Sequence, residues 1–264
     1  MLTGVFPKDK EKGSVSSGPV SLVKCTGEDV CGLVQMEYSY SLSEMYGDNY
    51  GYRSGLNKSM VDHLHSKVNK ITSSVNLSDN DLIIDIGSND ATTLKAFPQN
   101  GLDLVGIDPT GVKFSSYYPE NIKLIPDFFS SSLVKNKFGS KKAKVITSFS
   151  MFYDLEDPLT FMKEVYEVLD DNGVWIFEQS YMPKMLEMNS FDTICHEHLE
   201  FYSLHQIKYM TDIVGFHIVD VNFNDINGGS FSITVRKKLG GQQDEDKILE
   251  ILQQESHLGL SSIN

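Results

Sequence analysis

The segment Leu82–Asp90, which reads Leu-Ile-Ile-Asp-Ile-Gly-Ser-Asn-Asp, decides the fold of this 264-residue chain. A short apolar run that ends at a glycine turn is typical of a buried parallel strand. A helix through about Phe97 is expected to follow the turn. Strand, turn and helix in this order predict the first βα unit of an α/β domain.

The same pattern recurs along the chain. Apolar runs predict four more strands at Leu102–Ile107, Ile122–Ile125, Val145–Phe149 and Val174–Glu178. Predicted helices cover Asn57–Val75, Pro158–Leu169 and Leu204–Val214, and the turn residues Asp171–Gly173 are interpreted as the stop signal of the second. The last two runs, Phe216–Phe223 and Phe231–Val235, lie close enough to pair as an antiparallel hairpin. These elements predict an α/β, Rossmann-like fold with a doubly wound, mostly parallel seven-stranded sheet and an antiparallel terminal hairpin.

The composition excludes several function classes. A formal net charge of -13 argues against a nucleic-acid partner, because phosphate binding needs a basic surface. The sequence has neither a signal peptide nor an apolar run of membrane-spanning length, so no membrane partner is expected. The three cysteines, Cys25, Cys31 and Cys195, are too few for a disulfide framework, and they favour a reducing, cytoplasmic setting.

The turn after the first strand distinguishes between two kinds of cofactor. A dinucleotide fingerprint needs glycine at positions 87, 89 and 92, but Asn89 and a threonine stand at the last two. Asp108 follows Asp85 by 23 residues and ends the second strand, where a carboxylate can bind both ribose hydroxyls. Asp127 and Phe128 follow the third strand and offer an acceptor for an exocyclic amine and a ring for adenine. Together they favour S-adenosylmethionine, although either early acid alone would more often cap a turn.

The segment Phe191–Ser203 concentrates the chemistry. It reads Phe-Asp-Thr-Ile-Cys-His-Glu-His-Leu-Glu-Phe-Tyr-Ser and holds two imidazoles, three carboxylates, a thiol and a phenol. Burying so many ionisable groups is costly unless they satisfy one another in a cleft. The segment follows the fifth strand, and an open α/β sheet carries its active site where its strands end.

These motifs resemble the S-adenosylmethionine-dependent C-methyltransferases that act on nucleotide-linked keto-sugars in deoxysugar biosynthesis. The matching segments are Cys31–Gln35, Tyr50–Gly55, Asp85–Asp90, Phe191–Ser203 and Asn227–Ser230. The similarity runs from about Phe6 to Leu260, and the His-Glu-His segment is its most specific part. The resemblance implies a class I methyltransferase fold, S-adenosylmethionine as cofactor and a nucleotide-linked keto-sugar as substrate.

The resemblance also implies a mechanism. His198, by its motif position, would remove a proton from the sugar carbon next to a ketone, and the enolate would take the methyl group. An imidazole suits this role because it titrates near neutrality. Glu197 would orient the imidazolium or accept a sugar hydroxyl. His196 is the third catalytic candidate, with a structural hydrogen-bonding role as its alternative.

The other candidate residues fall into two sets. Those expected to bind the cofactor are Tyr50, Tyr52, Ser54, Asp85, Gly87, Asn89, Asp108, Asp127, Phe128 and Ser148. Those expected to face the substrate are Cys195, Glu178, Asn227 and Gly228. For Glu178, capping of the following turn is the alternative.

The sequence departs from the family pattern at both ends. Family members carry an N-terminal zinc module with two Cys-x-x-Cys pairs, but here only Cys25 and Cys31 are present, and a structural zinc needs four ligands. We therefore expect no metal, and we interpret residues 1–56 as a remnant of that module and residues 57–238 as the methyltransferase domain. Residues 239–264 are interpreted as the start of a C-terminal domain. Their predicted helix, Ile248–Leu258, has no evident packing partner, which makes it a candidate surface for an oligomer or a partner chain.

Two other functions stay open on the sequence alone. The first keeps the cofactor but methylates an oxygen or nitrogen of a small metabolite, with His198 removing the proton. The second is a non-catalytic domain that binds the cofactor or a partner chain. A dehydrogenase is disfavoured because the first turn lacks the glycines that a dinucleotide needs.

Overall fold

The computed structural model describes residue 2 and residues 5–28, 30–47, 49–238 and 246–260. Its strands are β1 Leu22–Lys24, β2 Val34–Met36, β3 Leu82–Ile86, β4 Asp103–Ile107, β5 Ile122–Ile125, β6 Ala143–Phe149, β7 Leu169–Ser180, β8 Glu200–Phe201, β9 Phe216–Asn224 and β10 Ser230–Lys237. Its α-helices are α1 Leu42–Met45, α2 Lys58–Ser74, α3 Thr92–Ala96, α4 Gly111–Phe114, α5 Ser131–Phe138, α6 Pro158–Val168, α7 Met182–Met188, α8 Leu204–Val214 and α9 Asp246–His257. Short 3-10 turns lie at Asp9–Ser14, Ser54–Leu56, Ser115–Tyr117, Phe152–Asp154, Phe191–Thr193 and Ile226–Gly228.

Seven strands form the central sheet in the order β5-β4-β3-β6-β7-β10-β9. The first five are parallel, β10 pairs antiparallel with β7, and β9 pairs antiparallel with β10. The predicted doubly wound sheet with an antiparallel terminal hairpin is confirmed. The strand order reverses between β3 and β6, so their carboxyl ends form the crevice where such sheets bind ligands.

Helices cover both faces of this sheet. On one face α5, α6, α8 and α9 pack against an aromatic cluster around Phe152, Trp175 and Phe177. On the other face Val68 and Ile71 of α2 and the short helix α3 cover the opposite side of the same strands. The alternation of strand residues between the two faces explains why β3 is buried along its whole length.

The boundary between α6 and β7 differs from the prediction. The turn residues Asp171–Gly173 lie within β7, and the strand starts at Leu169, directly after the helix. The pairing with β6 shifts register here, from Ala143 opposite Leu169 to Val145 opposite Val174. A Cβ on Gly173 would lie 2.9 Å from the carbonyl oxygen of Ala143, so glycine allows this close approach.

A second, three-stranded sheet joins the N-terminal segment to the motif that contains His198. Its order is β1-β2-β8, and β2 pairs Val34 with Phe201 of β8. Residues 1–24 contain glycine, serine, proline and lysine with little periodicity, a pattern that predicts only loop or weak strand, so the pairing in this sheet has no signal in the sequence. Its consequence is that β8, which begins two residues after His198, has a fixed partner.

The C-terminal helix is packed against the domain, and the prediction that it has no partner was wrong. Ile248 and Ile251 of α9 are buried in the main core cluster. The carboxylate of Glu255, which is 3% exposed, accepts hydrogen bonds from the backbone N–H groups of Leu204 and His205 at 2.6 and 3.0 Å. Residues 239–245 and 261–264 of the predicted C-terminal segment lie outside the described residues. No helix in the described ranges has both the length and the apolar character to cross a bilayer.

We expect Glu255→Ala to lower the free energy of unfolding by about 3 kcal/mol, because buried donors lose a charged acceptor. Besides the two backbone groups at the start of α8, the Tyr181 hydroxyl donates to this carboxylate at 2.8 Å. Urea denaturation followed by circular dichroism measures the loss. The matched control is Glu250→Ala, which removes an exposed carboxylate from the same helix. Equal denaturation midpoints for the two variants would contradict the anchoring role of Glu255.

Candidate active site

A cavity opens where the carboxyl ends of β3, β4 and β6 meet the N-terminal segment. Its wall contains most of the residues that the sequence assigned to the cofactor: Tyr50, Tyr52, Ser54, Asp85, Gly87, Asn89, Asp108 and Phe128. These residues come from four separate parts of the chain. The sheet therefore assembles them at the crevice that its strand order creates.

Backbone hydrogen bonds fix Asp108 at the end of β4. Its Oδ2 accepts from the N–H of Asn89 at 2.7 Å, and its Oδ1 accepts from the N–H of Thr110 at 2.7 Å. Asn89 has a positive φ of 50°, and Gly87 one of 73°. A Cβ on Gly87 would lie 3.1 Å from the Met151 side chain, so this turn is shaped to bring backbone close to the cavity.

The segment Tyr50–Gly55 is tied to the same turn. The N–H of Ser54 donates to Oδ1 of Asn89 at 3.0 Å, and Nδ2 of Asn89 donates to the Tyr52 carbonyl at 3.2 Å. Arg53 forms an ion pair with Asp90 at 3.2 Å. These contacts explain how two tyrosines more than thirty residues before the turn reach the cavity wall.

Asp85 lies deeper in the wall than Asp108. Its carboxyl is 2% exposed and accepts a hydrogen bond from the Thr147 hydroxyl at 2.6 Å. Burial raises the pKa of Asp85 to about 7, although hydrogen bonds from Thr147 and Thr93 oppose this rise. A carboxyl with this pKa is partly protonated near neutrality and can donate as well as accept.

Two residues assigned to the cofactor lie elsewhere. Asp127 is exposed, and its carboxylate accepts from the N–H of Phe128 at 2.8 Å, outside the cavity wall. Ser148 is fully buried in the sheet, where its hydroxyl accepts from the indole N–H of Trp175 at 2.7 Å. The prediction for Ser148 is corrected, because its hydroxyl satisfies a core tryptophan. Asp127 closes a local turn outside the cavity wall.

Glu178 is also not available to a substrate in the way that the sequence suggested. It is 2% exposed and lies 2.5 Å from Nε2 of His63 and 2.6 Å from Nζ of Lys67, both on α2, and Asn224 donates to it at 3.0 Å. Burial alone would raise the pKa of Glu178, but the His63 hydrogen bond and the Lys67 charge hold it below its usual 4.5. Glu178 thus anchors α2 to the sheet.

Asn227 and Gly228 form the exposed turn between β9 and β10, beside Ser190 and outside the cavity wall. Asn227 has a positive φ of 53°, which the hairpin turn requires. These two residues close the hairpin, and their contact with substrate stays a prediction.

His198 has a defined tautomer. Its Nδ1 lies 2.7 Å from the Thr193 carbonyl oxygen, which can only accept, so Nδ1 carries the proton and Nε2 is the basic nitrogen. The ring packs on Tyr153 with 4.2 Å between centroids. The Thr193 hydrogen bond and the Tyr153 ring therefore hold the imidazole in place, and His198 is not part of the cavity wall.

The backbone after His198 is fixed on both sides. The N–H of Leu199 donates to the Tyr153 carbonyl at 2.9 Å, and the Leu199 carbonyl accepts from the N–H of Met36 at 2.7 Å. β8 then begins at the next residue and pairs with β2. The small sheet thus positions the imidazole relative to the turn that carries Tyr153.

Two carboxyl groups lie near this imidazole. Burial raises the pKa of Asp154 well above its usual value, and the nearby His198 charge only partly offsets this. Burial likewise raises the pKa of Glu197, again opposed by His198. Asp154 lines the cavity, whereas Glu197 stands behind it near Tyr46 and Tyr50. Asp154 therefore lies both in the cavity wall and close to His198.

The remaining members of the motif have distinct positions. His196 is buried, its Nε2 lies 3.1 Å from the Gly18 carbonyl, and Tyr40 packs edge-on against its ring. This is the structural alternative that the sequence allowed for His196. Cys195 is partly buried, close to Tyr153 and Asp154, and is not in the cavity wall.

Comparison with known proteins decides the family. Residues 62–221 match the profile of a family described as "Methyltransferase domain". The chain belongs to this methyltransferase family. It also matches the C-methyltransferase NovU of Streptomyces niveus, with 24% identity over 256 residues, 96% of this chain and 60% of that protein. The chain thus spans about 60% of the length of this curated relative.

Solved structures share the fold of this methyltransferase domain at low identity. A chain of the complex between the Haloferax volcanii Trm112 methyltransferase activator and a methyltransferase has a TM-score of 0.54 and 14% identity, covering 69% of this chain and 94% of that one. Magnesium protoporphyrin IX methyltransferase (ChlM) from Synechocystis PCC 6803, with bound S-adenosylhomocysteine, has a TM-score of 0.52 and 13% identity, covering 73% and 90%. The predicted class I methyltransferase fold is confirmed, and the cofactor of this domain is S-adenosylmethionine.

The methyltransferase cavity fits this cofactor. A carboxylate accepts about four hydrogen bonds, and Asp108 uses three, from Asn89 and from the N–H and hydroxyl of Thr110. It keeps a lone pair on Oδ2 for a ribose hydroxyl, and rotation of the Thr110 hydroxyl frees another on Oδ1. Phe128 and Phe129 supply apolar surface in the same wall.

Several residues of the methyltransferase cavity were not identified from the sequence, and two of them carry buried polar groups. Tyr46 and Asp154 both line it. Asp154 follows β6 by five residues, and its position after a parallel strand was the available signal. Tyr46 precedes the recognised Tyr50–Gly55 motif and had no signal beyond its aromatic neighbours.

Within the described part of the methyltransferase, no three histidine, cysteine or acidic side chains come together as metal ligands. Cys25 and Cys31 are free thiols that lie beside each other at the mouth of the β1–β2 hairpin. Burial raises the pKa of the Cys31 thiol, and the neighbouring Cys25 raises it further, while a backbone hydrogen bond at Leu33 opposes the rise.

Proposed function

We propose that this methyltransferase domain methylates a carbon next to the ketone of a nucleotide-linked keto-sugar, with His198 as the base. The observation that carries the proposal is the hydrogen bond from Nδ1 of His198 to the Thr193 carbonyl, which leaves Nε2 as the nitrogen that can accept a proton. The ring lies close to Asp154, which lines the cavity. The carbon next to a ketone becomes a nucleophile only after it loses its own C–H proton and the electron pair delocalises as an enolate. A held base next to a cofactor cavity suits this reaction.

The cofactor end of the reaction depends on residues of the first two turns. Asp108 would bind the ribose hydroxyls, and the turn at Gly87–Asn89 would approach the remainder of the cofactor. When bound, S-adenosylmethionine supplies an electrophilic methyl group on a sulfonium sulfur. Tyr50 and Tyr52 belong to a segment tied to the same turn and would exclude water from the reacting atoms.

The acceptor end depends on the His198 segment. Proton transfer to a positioned imidazole contributes about 10²–10⁴-fold to a rate, and positioning of the reactants contributes the rest. Glu197, close to His198, would stabilise the imidazolium after it takes the proton. Cys195 would contact the acceptor from the same segment. The sugar and nucleotide parts of the acceptor are inferred from the motif resemblance, and the relative NovU is itself named a C-methyltransferase.

Product analysis tests the proposal. The chain is incubated with S-adenosylmethionine labelled with ¹³C in its methyl group and with a panel of nucleoside-diphosphate-linked keto-deoxysugars. We expect a new carbon–carbon bond, with the labelled methyl coupled to a ring carbon next to the ketone in the NMR spectrum. A label found on oxygen or nitrogen would replace the proposal with small-molecule O- or N-methylation.

A further inference from the structure

Two polar atoms in the cavity wall are buried, and among the described residues neither has a hydrogen-bond partner outside this pair. They are the hydroxyl oxygen of Tyr46 and Oδ1 of Asp154. Folded proteins satisfy nearly all buried polar atoms, so such a pair in a cavity indicates groups that await a ligand. The other unpartnered atoms of the described chain, on Gln179 and Ser180, are not in this wall.

Separate parts of the chain bring these two atoms together. Tyr46 follows α1, and its ring lies 5.5 Å from that of Tyr50. Asp154 ends the 3-10 turn after β6, and its carboxyl lies within hydrogen-bonding reach of the Tyr46 hydroxyl. His198 faces the same carboxyl from the segment before β8. The pair therefore lies between the cavity and the base.

We propose that Tyr46 and Asp154 form the site for the carbonyl oxygen of the acceptor and stabilise the enolate that develops there. This inference rests on the proposed function, because it requires an acceptor with a carbonyl group next to the reacting carbon. Both residues bind through an O–H group. Burial raises the pKa of Tyr46 and of Asp154, which favours the O–H form of each group.

The step that this site serves is balanced within the chain and its acceptor. Nε2 of His198 takes the proton from the carbon next to the carbonyl, and the C–H electron pair becomes the carbon–carbon double bond. The carbonyl π pair moves onto oxygen, which becomes negative between the Tyr46 and Asp154 donors. Oriented donors in a buried site stabilise such a charge far more than water does. Glu197 remains the group that compensates the imidazolium.

Deuterium exchange without a methyl donor isolates this step. The rate of exchange from D₂O into a panel of nucleoside-diphosphate-linked keto-deoxysugars is measured for the unaltered chain and for Tyr46→Phe, Asp154→Leu and Asp154→Asn. Loss of one such donor lowers a reaction rate by about 10²–10³-fold. We expect this decrease in the exchange rate for Tyr46→Phe and for Asp154→Leu. Asp154→Asn keeps an N–H donor, so its exchange rate should stay within about tenfold of the rate of the unaltered chain. The control Tyr209→Phe removes an exposed phenol of α8, outside the cavity wall, and should exchange at the full rate.

The outcomes separate this inference from the proposed function. No exchange by the unaltered chain with any acceptor would overturn both. Exchange by the unaltered chain with Tyr46→Phe at the same rate would overturn only the inference, even if Asp154→Leu fails to fold. Equal losses in Asp154→Asn and Asp154→Leu would show that Asp154 acts as a carboxylate, against the donor role. Calorimetric binding of S-adenosylhomocysteine should be unchanged in every variant, and its loss would assign the pair to the cofactor instead.

Discussion

His198→Ala is expected to abolish methyl transfer while S-adenosylhomocysteine binds with nearly unchanged affinity. The imidazole is the base in the proposed reaction, and loss of a general base lowers a rate by about 10²–10⁴-fold. The side chain lies outside the cavity wall that holds the predicted cofactor residues, so binding should not depend on it. Methyl transfer from a radiolabelled donor and calorimetry measure the two quantities.

Two further variants sharpen this test. His198→Asn can keep the hydrogen bond to the Thr193 carbonyl through its amide N–H but has no basic nitrogen, so it should be as inactive as the alanine variant. His205→Ala removes an exposed imidazole from α8 and should transfer methyl normally. A large loss of cofactor affinity in His198→Ala, or an active His198→Asn, would count against His198 as the base.

Asp108→Ala should show the opposite behaviour, with a large loss of cofactor affinity. Hydrogen bonds to a charged group contribute about 1.5–3 kcal/mol each, which corresponds to a loss of about 10–150-fold in affinity for each ribose hydroxyl released. The substitution also removes the acceptor for the N–H groups of Asn89 and Thr110, which loosens the turn beside the ribose. Calorimetric titration with S-adenosylhomocysteine measures the change.

The matched control for this variant is Asp127→Ala. The sequence assigned Asp127 to the cofactor as well, but its carboxylate lies outside the cavity wall. Its removal should leave the affinity within about twofold of the unaltered chain. Normal binding by Asp108→Ala would mean that the ribose is not held at the end of β4.

The sequence was most informative where local pattern determines structure. The strands β3 and β5 have the predicted bounds because short apolar runs between turn residues leave few alternatives. The positions of Asp85, Gly87, Asn89 and Asp108 followed from the same pattern, since parallel strands bring their carboxyl ends to one edge.

The features that the sequence did not predict depend on packing between distant parts of the chain. Ser148 and Glu178 lie near the carboxyl ends of β6 and β7, and β7 extends two residues beyond the predicted end at Glu178. Trp175 determines the role of the Ser148 side chain, and α2 determines that of Glu178. The two-residue strand β8 pairs with β2 across more than 160 residues, and no local signal marks such a pair. The partner of α9 was likewise invisible, because Glu255 binds the start of α8 through backbone groups.

The most direct test of the account is deuterium wash-in by the unaltered chain in the absence of any methyl donor. The chain, in D₂O with a nucleoside-diphosphate-linked keto-deoxysugar that it methylates, is predicted to place deuterium on the carbon next to the ketone, and His198→Ala is predicted not to. Methyl transfer to an acceptor that shows no exchange at that carbon would contradict proton removal by His198 as the basis of the reaction.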